Sequence, residues 1–329
     1  MAASHQIHNW KAPESATLPH FIIGGAMKSG TSTLHAMLDQ HPDVFIPEEE
    51  IGFFDIDNIL EHYDFNFFDR KSAQWTTQDM SKDPQLLWDW YSSKFKEGDR
   101  KFRGEDSTSY LASKFAARRI SLQKPDIKMI FLLRHPSKRA FSNYHHLVRS
   151  GIISRSFEDV LQYDPSKVLN RSLYKDQLEQ YYQYFPKENI KIVVFEDLIA
   201  APKKVLKEVS QFLDLDFAQF QEEAFQTYSN PGTFPLFPRL HRLKNALNRR
   251  FGNSFYLKNL PAKAPQNVVR RAWLPKVLNR VHGMINPLKA KKSPQMKAGT
   301  RTFLDNYFKK ELAGLDELIG KSILGKWFE

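Results

Sequence analysis

The chain of 329 residues, 41% hydrophobic and 13% aromatic, is long enough to bury a substantial core. It has no cysteine, which excludes disulfides, thiol nucleophiles and thiolate metal sites. The formal net charge is +11, yet residues 224–304 hold 16 of the 48 Lys and Arg and no Asp or Glu, so the rest of the chain is slightly acidic.

A positive surface of that kind attracts a polyanion: a phosphate-bearing cofactor, nucleic acid, anionic lipid or acidic polysaccharide. No apolar run reaches the roughly 20 residues that span a bilayer. Met1 to His20 lacks the apolar core of a signal peptide. A cytoplasmic enzyme is the simplest expectation.

Phe21 to Ala26 is a short apolar run ending in small residues, which predicts a buried strand. The loop Lys28-Ser29-Gly30 then opens a helix over 31–40, which His41-Pro42 stops. Such a junction aims backbone N–H groups and a helix dipole at one anion. The Walker A pattern places its lysine directly after the last glycine; here Thr31 stands there and Lys28 precedes Gly30.

Helical patterns follow over 85–96 and 112–123. Lys128 to Leu133 predicts a second strand, ending at Arg134-His135-Pro136, with the proline heading a helix that runs to Arg149. Further helical patterns cover 156–162 and 172–185. Ile190 to Phe195 predicts a third strand, followed by Glu196-Asp197 and a helix opening at Pro202. Residues 229–300, rich in Pro, Asn and basic side chains, predict an irregular insertion. A helical pattern over 302–319 closes the chain. Strands alternating with helices predict an α/β fold, a parallel sheet covered by helices on both faces. Ligands of such sheets gather beyond the strand C-termini, where the loops 25–33 and 134–142 both lie.

Several short elements recur in a fixed order. Leu18-Pro19 leads the lysine loop; His41-Pro42-Asp43-Val44 and Glu50-Ile51-Gly52-Phe53-Phe54-Asp55 follow. Arg134-His135-Pro136-Ser137-Lys138-Arg139 leads to Ser142 and Tyr144, then come Leu173-Tyr174, Phe195-Glu196-Asp197-Leu198, Tyr307-Phe308 and Trp327. This series resembles the sulfotransferases that use 3′-phosphoadenosine 5′-phosphosulfate (PAPS), most closely the heparan sulfate branch and its bacterial relatives. The resemblance covers about 18–215 and returns near 300–329. It implies one P-loop-like domain over 1–329, with a core of about 18–225, a basic irregular segment of about 229–300 and a C-terminal helix of about 301–320.

The resemblance also implies roles. Lys28 would contact the oxygen bridging sulfur and phosphate, and Ser29, Gly30, Thr31, Ser32 and Thr33 would cradle the 5′-phosphate. Arg134 and Ser142 would hold the 3′-phosphate, and Glu50 would be the general base. Chemistry supports the division. Negative charge builds on the bridging oxygen as a sulfuryl group leaves, and one cation there lowers the barrier. Because a sulfuryl unit carries less charge than a phosphoryl, no metal is expected to be required. His135, His145 and His146 are expected to serve packing or the phosphates.

Two departures bear on the acceptor. The family's Lys-Ser-Pro-x-Tyr element reads Asp106-Ser107-Thr108-Ser109-Tyr110 here, and Gly52 replaces a His or Gln after Glu50. With Glu50, Gly52, Asp106 and Tyr110 as substrate-facing residues, the acids Glu48, Glu49 and Asp106 would repel a polysulfated glycan. The expected acceptor is then a neutral or cationic small molecule, sulfated on a hydroxyl or amine, with a saccharide or glycolipid as the alternative. Peripheral membrane contact is compatible with the basic stretch, and no nucleic acid is expected. Two rivals remain: a P-loop kinase using Glu196-Asp197 for magnesium, and an RNA- or membrane-binding module with Phe251, Phe255, Tyr256 and Trp273 as its aromatics.

Overall fold

Alternating apolar residues on three strands face opposite ways and find a helical layer on each side. The computed structural model describes residues 7–62, 65–69, 71–96, 102–123, 126–226, 233–248, 260–263, 273–290 and 295–328. The strands are β1 (Phe21–Gly25), β2 (Val44–Phe45), β3 (Phe67–Asp69), β4 (Gln74–Thr76), β5 (Phe102–Asp106), β6 (Lys128–Leu133), β7 (Ile190–Val194), β8 (Thr233–Pro235) and β9 (Leu288–Ala290). Five of them form a parallel sheet in the order β2-β5-β1-β6-β7; β3-β4 and β8-β9 are antiparallel pairs.

The principal helices are α1 (Thr31–Leu38), α2 (Pro84–Ser93), α3 (Pro136–Arg149), α4 (Pro202–Leu213), α5 (Pro238–Asn248), α6 (Trp273–Ile285) and α7 (Ala298–Glu311). Phe21, Ile23, Ile130, Leu132 and Val193 pack on one side with Leu34 and Met37 of α1 and Val205, Leu206 and Val209 of α4. Ile22, Met129, Phe131, Leu133 and Val194 pack on the other with Tyr91 of α2, Val148 of α3 and Phe308 of α7. Each fully buried side chain of this size contributes on the order of 2 kcal/mol.

β5 had no counterpart among the sequence-predicted strands, because Phe-Arg-Gly-Glu-Asp is not an apolar run. It lies between β2 and β1 with Glu105 and Asp106 buried. Hydroxyls make that tolerable: Glu105 accepts from Tyr91 at 2.5 Å, from Ser107 at 2.7 Å and from Tyr110. Asp106 meets the His35 ring of α1 at 3.3 Å.

The segment 229–300 also differs from its predicted irregularity. Among the described residues it contains α5, α6 and the β8-β9 pair. The C-terminal pattern over 302–319 is broken: α7 ends at Glu311, and Gly314, with φ 84°, caps the start of a separate short helix over Leu315–Ile319. No helix among the described residues is long and apolar enough to cross a membrane.

Candidate functional site

β1 and β6 are neighbours, with Gly25 opposite Phe131, so the loops that follow them emerge side by side. Arg134 joins the two: its Nη1 donates to the Lys28 carbonyl at 3.0 Å, and its guanidinium lies 4.5 Å from the Phe195 ring centroid. Lys28 itself has a left-handed backbone, φ 69°, a conformation that costs an L-residue about 1–2 kcal/mol. The Arg134 bond to its carbonyl helps hold it there.

Gly30 caps α1 with φ 93° and no side-chain hydrogen bond. A Cβ at this position would stand 2.6 Å from the Phe195 ring, so only glycine fits both the angle and the space. The Thr33 N–H closes onto the Gly30 carbonyl at 3.0 Å, and the N–H groups of Thr31 and Ser32 ahead of it have no intrahelical acceptor. Lys28, Gly30, Thr31, Ser32 and Thr33 line one part of a cleft of about 670 Å³. Arg134 and Ser142 line it as well, and so does Glu50. Ser29 belongs to the same loop but is fully buried beneath it.

Glu50 is exposed toward the cleft, and its Oε2 accepts from the Thr108 hydroxyl at 2.6 Å and the Thr108 N–H at 3.4 Å. The protein around the carboxyl and the negative Asp106 behind it raise its pKa, while the two Thr108 bonds oppose them. Desolvation pushes Lys28 down to about 8; Arg149 and Arg134 add to that, and Glu50 counters it. Burial pushes His145 down to about 4. Burial together with Lys28, Arg149 and Arg171 pushes His146 down to about 3. Both rings line the cleft and are neutral at pH 7.

The other expected substrate-facing residues lie behind this wall. Asp106 is buried against His35. Tyr110 is fully buried, and its hydroxyl accepts from the Phe54 N–H at 3.0 Å and donates to Glu105. Gly52 is buried with φ 60°, and a Cβ there would meet the His62 ring at 2.9 Å; close packing, not room for an acceptor, accounts for this glycine. From the hydroxyl-rich run after β5, Thr108 is the residue that reaches the cleft.

Several contributing residues carried no role in the sequence reading. Arg149 approaches Thr233 Oγ1 at 3.3 Å, and Lys138 and Arg301 add cationic charge to the cleft wall. Arg139 is fully buried; it donates to the Val168 carbonyl and Ser172, and its Nη1 lies 3.5 Å from the Met27 carbonyl, bracing the lysine loop from below. Glu105 holds the segment after Glu50 from beneath, since its partners Ser107 and Tyr110 accept from the Gly52 and Phe54 N–H groups. A helix position for Arg139 and a buried strand acid for Glu105 are visible only once the fold pairs them.

The carboxylates that suggested a kinase are engaged elsewhere. Glu196 accepts from the His135 N–H at 3.1 Å and from the Trp327 indole at 3.3 Å, and Asp197 pairs with Lys321 at 2.9 Å. Neither lines the cleft. Of the aromatics that suggested an RNA-binding face, Phe251, Phe255 and Tyr256 lie outside the described residues.

A model described as Sulfotransferase family matches residues 19–219. The chain is 31% identical over 211 residues to heparan sulfate glucosamine 3-O-sulfotransferase 5 of Mus musculus, covering 60% of this chain and 54% of the relative. It is 27% identical over 226 residues to the bifunctional heparan sulfate N-deacetylase/N-sulfotransferase of Drosophila melanogaster, covering 62% of this chain and 20% of that protein. It therefore spans about half or less of the length of these relatives. Among solved structures, the sulfotransferase from Alicyclobacillus acidocaldarius has the same fold, with a TM-score of 0.59, 23% identity, and coverage of 95% of this chain and 100% of that one.

Proposed function

Because this chain belongs to the sulfotransferase family, we propose that it transfers the sulfuryl group of PAPS to a hydroxyl or amine of a saccharide acceptor. The observation that carries the proposal is the meeting of the β1 and β6 loops in one cleft that also holds Glu50. The residues present fit the donor. An uncapped helix start with a left-handed glycine suits its 5′-phosphate, and the planar Arg134 fork with the Ser142 hydroxyl suits its 3′-phosphate. The bound donor supplies an activated sulfuryl group on a good leaving phosphate.

Lys28 contributes a cation where negative charge develops on the leaving side. Its lowered pKa still leaves it mostly protonated at pH 7. Glu50 takes the proton from the attacking hydroxyl or amine, and the raised pKa strengthens it as a base. Thr108 fixes one carboxylate oxygen and leaves the other for the acceptor. Arg139 and Glu105 position these two groups without touching the reacting atoms.

A saccharide acceptor is favoured over the small cationic one because two of the three acids behind that expectation, Asp106 and Glu49, are engaged by other side chains. Asp106 is turned to His35 and Glu49 pairs with Lys94. Besides Arg134, the cleft wall gathers Lys138, Arg149 and Arg301, which suits an anionic sugar. Incubation with sulfur-labelled PAPS and either heparan-type oligosaccharides or small cationic alcohols tests this. Label should enter the saccharide; label confined to the cationic alcohols would overturn the acceptor assignment.

A further inference from the structure

A surface helix ordinarily turns its apolar stripe inward and its polar face to water. The helices α5 and α6 do the reverse. On α5 the inward residues are His241 and Asn245, both buried; His241 Nε2 lies 3.1 Å and Asn245 Nδ2 2.6 Å from the Val148 carbonyl of α3. On α6 and just beyond, His282 and Asn286 are buried, and Asn286 exchanges bonds of 2.7 and 3.0 Å with the Phe237 backbone. Polar contacts therefore fasten this pair to the body.

The apolar side chains point away. Trp273, Val277, Val281 and Met284 recur at i, i+4, i+8 and i+11, one side of a helix, with Met284 75% and Trp273 58% exposed. Leu240 and Leu243 of α5 and Phe237 before it are exposed as well. The same helices expose Arg239, Lys276 and Arg280, inside the segment without a single acid, while Arg242 is turned to Tyr144 of α3 and Lys244 donates to Asn279 at 3.1 Å. Thr233 and Phe234 of β8, directly ahead, line the cleft.

We propose that this face docks on an anionic membrane surface, its apolar stripe entering the headgroup boundary and its basic side chains meeting lipid charge. A second copy of the chain would bring the same positive charge onto itself, which disfavours a symmetric pairing through this face. A soluble polyanion would have no use for the apolar stripe.

Sedimentation of the full chain with vesicles tests the proposal, comparing neutral phosphatidylcholine with vesicles containing roughly 30% phosphatidylserine. The chain should partition at least about tenfold better onto the anionic vesicles. Replacing Val281→Glu and Met284→Glu together should remove most of that binding while leaving the melting temperature unchanged, because both positions are exposed. Absence of vesicle binding would overturn the proposal. So would salt-reversible binding indifferent to the double variant, or a dimer in solution that the variant dissociates.

Discussion

The Arg134 guanidinium and the Lys28 carbonyl, 3.0 Å apart, tie the loop after β6 to the loop after β1. One residue thus braces the lysine-bearing turn and lines the cleft. The two ends of one donor would be held by elements that cannot move independently.

Lys28 titrates at about 8, because burial first, and then Arg149, disfavour its charge. In the proposed role the protonated form is the functional one. Between the acid limb set by Glu50 and about pH 8 the kcat/KM for the donor should therefore be level, and it should fall roughly tenfold per unit above that. The same group costs stability at neutral pH. The unfolded chain keeps this proton up to the ordinary lysine value of 10.5, so the penalty shrinks as pH rises from about 8 to that value. Lys28→Met should melt higher than wild type at pH 7 while losing about 10²–10³-fold in transfer. A donor profile without an inflection near pH 8 contradicts the assignment.

Glu50→Gln preserves shape and the Thr108 hydrogen bond but cannot accept a proton. Turnover should drop about 10²–10⁴-fold under conditions where chemistry limits the rate, with donor affinity little changed. The acid limb of wild-type activity should lie above the ordinary glutamate range, since the surrounding protein and Asp106 raise this carboxyl. Full turnover by Glu50→Gln would require a different base.

Glu105 is pushed up to about 7, chiefly by burial, against its three hydroxyl donors. An acid whose folded pKa is raised stabilises the fold below its unfolded value of 4.5, and the contribution is lost as pH rises through about 7. Melting temperature should fall across that window, and Glu105→Gln should flatten the slope. Thermal scans at several pH values read this directly; an unchanged slope in the variant would exclude Glu105 as its source.

Gly30→Ala would force a methyl group against the Phe195 ring in a left-handed turn. A loss of about 1–3 kcal/mol in stability is expected, together with weakened donor binding. Chemical denaturation and titration with 3′-phosphoadenosine 5′-phosphate measure both, and an alanine variant that binds normally would separate the turn from phosphate recognition.

Much of this arrangement was legible in the sequence where pattern and position coincide. The runs that became β1, β6 and β7 are apolar because both faces of the sheet are covered, and the lysine loop and Arg134 follow strand ends directly. β5 was not legible, since its acids are stabilised by Tyr91, Tyr110 and His35, partners distant in sequence. Asp106 and Tyr110 were assigned to the acceptor side because the sequence does not say which face of the post-strand turn opens on the cleft. The helices in the basic stretch do carry a helical stripe, Trp273, Val277, Val281 and Met284 on α6, but the surrounding Pro, Asn and basic residues mask it in the sequence.

The most direct measurement compares calorimetric binding of 3′-phosphoadenosine 5′-phosphate with that of 5′-AMP, in wild type and in Arg134→Ala. If Arg134 grips the 3′-phosphate, wild type should prefer the bisphosphate by about 10–100-fold, the scale of a charge-assisted bond, and the variant should lose that preference even if the loosened Lys28 loop weakens both ligands. No uptake of the bisphosphate by wild type, or a preference that survives in Arg134→Ala, would contradict the account.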